Sequence, residues 1–227
     1  MALPDVRDLN QAAVELPRLR GRLHQHALWF ALVAAAALVV FAPDGPSRIT
    51  ALIYGAGLCA LFGVSALYHR WPGDSRFKPV LRRLDHCTIF LFIAASYTPM
   101  AALVLEPPAG TVVLVSVWAG ALGGVLFSVC WIDAPRPVQA ACYIAVGWVA
   151  VIAIPELLDS LGVTPVVLIG IGGLLYSGGA CIYALKRPDP WPRVFGFHEI
   201  FHALVIAAAL VHFVAIAGWV IPTGASA

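Results

Sequence analysis

Seven apolar runs divide the chain, at approximately 26–42, 49–69, 86–105, 110–131, 138–155, 163–185 and 199–221. Each is close to the length, roughly 17–25 residues, that crosses a bilayer core as a helix. The breaks are equally plain: Pro43-Asp44-Gly45-Pro46, the polar stretch 70–85, Glu106-Pro107-Pro108, Asp133 to Pro137, Pro155 to Gly162, and Lys186 to Phe197. The fifth run is short and its edges are the least defined. Composition agrees with spans rather than with a buried soluble core. Only 11% of the 227 residues are charged and 61% are hydrophobic, whereas a soluble domain carries about 25% charged residues. Too few charges remain to cover a water-facing surface. The expected architecture is an all-α integral membrane protein, a seven-helix bundle over 26–222 in the cell membrane, with tails at 1–25 and 223–227. A membrane lipid is the expected partner and nucleic acid is not; the oligomeric state stays open.

Orientation follows from the basic residues. With the N-terminus cytoplasmic, inside positions hold thirteen of the fourteen Lys and Arg, and only Arg48 falls in an outside loop. That bias places the N-terminus inside and the C-terminus outside. The first 25 residues mix Asp5, Asp8 and Glu15 with Arg7, Arg18, Arg20 and Arg22 and do not read as a secretory signal. Leu9, Ala12, Ala13, Leu16, Leu19 and Leu23 recur at helical spacing. A short surface helix broken near Pro17 and a solvated tail are both open readings. Cys59, Cys87, Cys130, Cys142 and Cys181 form no C-x-x-C pair and read as small apolar packing residues, with Cys87 near the polar cluster described next.

Ionisable groups are costly in a membrane and mark function by default. The second run ends at "SALYH", the third opens on Asp85-His86, and the seventh opens on "HEIFH". With alternating directions, all three lie at the cytoplasmic end. On a helix, positions i and i+4 differ by about 40° in direction and about 6 Å in height. His198 and His202 therefore project from one face, as a two-imidazole chelate requires, and Ser65 and His69 share a face likewise. Catalytic zinc commonly takes three protein ligands plus water, and His69 is the natural third. Asp85 is a natural partner for bound water or for a ligand's free N–H. His86 reads either as an interfacial side chain or as a group bonding the ligands. His24 and His26 read as interfacial side chains. His212, about 15 Å further along the last helix than His202, reads as bonded to another helix. Gly170, Gly172, Gly173, Gly178 and Gly179 suggest close helix approach on the sixth span, Pro99 a kink in the third, and Trp71 and Trp191 interfacial anchors.

S-x3-H in "SALYH", the Asp in "LDHCTIFLFIAASYTP" and H-x3-H in "HEIFH" together resemble the bacterial haemolysin III branch of the progestin and adiponectin receptor family. The likeness covers nearly the whole chain, with the three motifs in order on the right helices. It implies a seven-helix bundle with zinc near the cytoplasmic face, His69, His198 and His202 as ligands, and Ser65 and Asp85 as accompanying polar residues. The wider superfamily includes alkaline ceramidases, which hydrolyse lipid amides; the haemolysin label implies cytolysis or pore formation.

Four functions compete. The first is zinc-dependent hydrolysis of a membrane lipid amide or ester, with Asp85 as base and Ser65 bonding the oxyanion. The second is a non-enzymatic regulator or sensor of membrane lipid state, with zinc tying helices together. The third is a pore-forming cytolysin, which the mostly Ala, Val, Leu and Gly outer halves of the spans disfavour. The last is a zinc protease with Glu199 as base, disfavoured because no acid follows "HEIFH". Glu199 is expected to be secondary, turned about 100° from His198 and reaching interfacial water where the chain enters the membrane.

Overall fold

The computed structural model describes residues 17–72 and 75–224. The expected helical positions Leu9 to Leu16 lie outside the described residues. Among those described, seven helices are long and apolar enough to span a membrane: α1 Arg22–Phe41, α2 Pro46–Arg70, α3 Lys78–Leu103, α4 Ala109–Cys130, α5 Arg136–Leu161, α6 Val163–Leu185 and α7 Phe197–Thr223. They form an all-helical bundle in which α1–α2, α2–α3, α3–α4 and α6–α7 pack extensively, and α1 also touches α7. α3 is the most buried of the seven. Large apolar side chains such as Phe30, Val33, Phe41 and Leu126 point outward, which water would penalise and lipid accepts.

The fifth span is longer than its apolar run suggests. Helix is interrupted by a 3-10 turn at Val149–Ala153 and resumes at Ile154–Leu161. Pro155 does not end it, because Pro155 stands in the first turn of the resumed segment, where a missing N–H costs nothing. Tyr97 of α3 services the interruption: its hydroxyl donates to the Gly147 carbonyl at 2.5 Å and accepts from the Ala150 N–H at 2.9 Å. Backbone groups freed inside a membrane need such partners. Gly162, at φ 79, closes the span. α3 likewise continues as helix through Pro99, which is buried in its interior.

The glycines of α6 divide. A Cβ on Gly172 would collide with the His212 ring, and one on Gly179 would lie 3.3 Å from Phe201. Gly170, Gly173 and Gly178 have nothing within 4 Å, so close approach explains only two of the five.

Candidate metal centre

Two helix ends deliver three imidazoles. α2 ends at Arg70, which puts His69 in its last turn. α7 begins at Phe197, so His198 and His202 occupy its first two turns. The ring centroids of His198 and His202 are 4.4 Å apart, and that of His69 lies 4.7 Å and 5.1 Å from them. Nε2 of His69 is 3.1 Å from Nε2 of His198. The three donor atoms all lie within 4.8 Å of one another, the one such group found among the described residues. Donor nitrogens on a tetrahedral zinc sit about 3.3 Å apart, as bonds of about 2.0–2.1 Å require. The donor chemistry and spacing therefore suit a metal held by three imidazoles.

Asp85, in the third turn of α3, shares a cavity wall with His202 on one side and with His69 and His198 on the other. Ser65, buried one turn before His69, lines the same cavity as Asp85. His86 faces α5 instead, with Nδ1 2.8 Å from the Tyr143 hydroxyl. His212 bonds the Ile169 carbonyl of α6 through Nε2 at 3.0 Å, in the pocket that Gly172 leaves open.

Glu199 departs from expectation. It is 1% exposed, so it does not reach interfacial water. Its Oε1 accepts from Arg20 Nε at 2.6 Å, and its Oε2 accepts from the Gly196 N–H at 3.0 Å, capping the start of α7. Both oxygens are committed to structure. The sequence hides this because Arg20 is 179 residues away. Glu199→Gln is expected to leave metal content unchanged and to lower stability by about 1.5–3 kcal/mol, the worth of a charge-assisted bond. Metal analysis and an unfolding curve in detergent on the purified variant check both halves.

His24 is the larger correction. It is not interfacial but 2% exposed, stacked on His202 with centroids 3.8 Å apart and planes within 4°. Stacked flat on His202, this ring covers the cluster and is not one of its three donors. Neither His24 ring nitrogen has a well-formed hydrogen bond among the protein atoms. Gly21 (φ 74) lies so near that a Cβ there would come within 2.7 Å of His69 Cβ. Residues 18 and 19 bond the backbone of Arg193 and Val194. The start of α1 is thus a cover over the imidazoles. One signal was available: α1 starts at the same end as α3 and α7, which puts His24 at the depth of the triad.

Two cavities meet at this centre. One, of about 110 Å³, runs through the apolar bundle and is lined by Ser65, Asp85, His24 and His202 at one end and by His212 further along. The other, of about 390 Å³, opens at the helix ends and is lined by His69, His198, Asp85 and several cations. Asp85, Ile89, Tyr143, Ala180 and Phe201 border both.

Residues 13–213 match the sequence profile of a family described as Haemolysin-III related. The chain is 30% identical over 171 residues to Hemolysin-3 of Bacillus cereus, covering 75% of each. It is 31% identical over 195 residues to the monocyte to macrophage differentiation factor of Homo sapiens, covering 82% of this chain and 76% of that one. It is 32% identical over 188 residues to the heptahelical transmembrane protein ADIPOR2 of Oryza sativa subsp. japonica, covering 76% of this chain and 82% of that one.

Proposed function

Because this chain belongs to the Haemolysin-III related family, as a multi-pass cell membrane protein with seven spanning helices, we propose that it is a zinc-dependent hydrolase of a membrane lipid amide or ester. The observation that carries this reading is the placement of Asp85 beside the three-imidazole cluster, on the wall between an apolar cavity and a polar one. The apolar lining of the first suits the start of an acyl chain and the polar lining of the second a head group, with the scissile carbonyl at their junction. Zinc, when bound, supplies an electrophile that polarises the carbonyl and acidifies water. His69, His198 and His202 hold it. Asp85 takes the proton from the attacking water and passes it to the leaving group. Ser65 lines the cavity beside Asp85 and offers one O–H to the developing oxyanion. The His24 ring and the apolar walls shield the junction from the side of the bundle, and water enters from the polar cavity.

The test is release of fatty acid from a panel of lipid amides and esters by purified protein, with His69→Ala as the blank. If no lipid is turned over by folded, zinc-loaded protein, the regulator reading replaces the hydrolase.

In this reading the centre faces the cytoplasm, since thirteen of fourteen Lys and Arg fall on one side. A reporter enzyme fused at position 75 is then active in the cytoplasm, and one fused after Ala227 is active only outside. The reverse pattern would move the centre to the opposite leaflet.

A further inference from the structure

The larger cavity carries an unbalanced charge. Arg20, Lys78, Arg82 and Arg136 line it, against the single acid Asp85. Two of the four are already answered: Arg20 by Glu199 at 2.6 Å, and Arg82 by Asp133 at 2.8 Å. Lys78 is exposed at the rim. Arg136 is different. It is half-buried, and among the described residues no carboxylate pairs with it. Its Cζ lies 5.3 Å from the Tyr183 ring centroid and 5.5 Å from that of Phe197. Nη1 is fully buried and meets no hydrogen-bond partner among the protein atoms.

A cytoplasmic rim is rich in solvated cations for topological reasons alone. Such cations are mobile and wet. Arg136 differs: two aromatic rings pack against its half-buried guanidinium, and Nη1 is out of water with no partner among the protein atoms. A buried N–H donor left without an acceptor is costly, and an anion's oxygen would satisfy it. Tyr183 and Phe197 are also neighbours of His198, with ring centroids 6.1 Å and 6.2 Å from it, so Arg136 overlooks the metal centre from the head-group side. A divalent ion on three neutral imidazoles would make that side more positive still. The planar guanidinium fork matches carboxylate or phosphate oxygens in pairs.

We propose that Arg136 anchors the anionic group, phosphate or carboxylate, of a single-chain lipid whose chain enters the apolar cavity. The position of the scissile bond at the imidazoles rests on the hydrolase reading; the anion contact does not.

The test is a binding measurement on two lipids that differ only in charge, 1-oleoylglycerol 3-phosphate and 1-oleoylglycerol, with detergent-purified protein, zinc-loaded and chelated. Wild type is expected to prefer the phosphate-bearing lipid by about ten- to hundredfold, the worth of a charge-assisted contact. The preference persists after chelation. In Arg136→Gln it collapses towards unity while affinity for the neutral lipid is kept, and Arg136→Lys, which keeps the charge but loses the fork, restores part of it. If Arg136→Gln does not fold, the comparison of Arg136→Lys with wild type carries the test. A preference that vanishes on chelation and ignores the Arg136 substitutions would assign the anion to the metal and overturn the proposal. Inorganic phosphate is expected not to displace the lipid at equal concentration. If it does so in an Arg136-dependent way, the site serves a free anion and the lipid assignment falls. Failure of hydrolysis with the charge preference intact would refute the enzyme reading and leave this one standing.

Discussion

Replacing any one of His69, His198 and His202 with alanine is expected to take bound zinc from about one per chain, the stoichiometry of a single three-imidazole site, to near zero. Two imidazoles that remain cannot hold the ion against dilution and chelators, because each contributes a bond that the others do not replace. Stability should fall with occupancy, since the folded state alone presents the assembled site. With free zinc about 100- to 1,000-fold above its dissociation constant, the lost linkage is about 2.7–4.1 kcal/mol. His212→Ala serves as control, because its ring bonds the Ile169 carbonyl and lies outside the donor group. Inductively coupled plasma analysis and unfolding curves with and without added zinc read both effects. Equal zinc in all four variants would mean that the donors are misassigned.

Asp85→Asn is expected to separate binding from chemistry. Asparagine keeps the size and polarity of the side chain, and Asp85 is outside the donor group, so zinc and fold should persist. It cannot take a proton, and hydrolysis should drop by about 10²–10⁴-fold, the range for a lost general base. Glu199→Gln should lose stability rather than rate, because both Glu199 oxygens are engaged by Arg20 and Gly196. The opposite result, a dead Glu199→Gln and an active Asp85→Asn, would restore the protease-like role of "HEIFH".

Much of this was legible in the sequence because depth in a membrane is a one-dimensional quantity. Run lengths set the seven helices, and alternating direction puts Ser65 and His69, Asp85, and His198 with His202 at one end. The i,i+4 spacing aligned His198 with His202. What escaped was lateral: which side chains from distant segments fill the space around a group at that depth. His24 reads as interfacial until α1 is seen to begin at Arg22 and to lay the ring on His202. Glu199 reads as wet until Arg20 closes over it. Pro155 reads as a break because a proline that starts a new helical segment and one that ends a span look alike in sequence. The α6 glycines read as one packing stripe, yet only Gly172 and Gly179 meet a neighbour.

The most direct measurement is the rate of lipid cleavage as zinc is titrated back into chelated protein reconstituted in vesicles. The account predicts no cleavage without metal, then a rate that rises with bound zinc and levels off at about one per chain, as one catalytic site requires. A rate that is unchanged by chelation, or that stays at zero while zinc binds and the fold is restored, would contradict it.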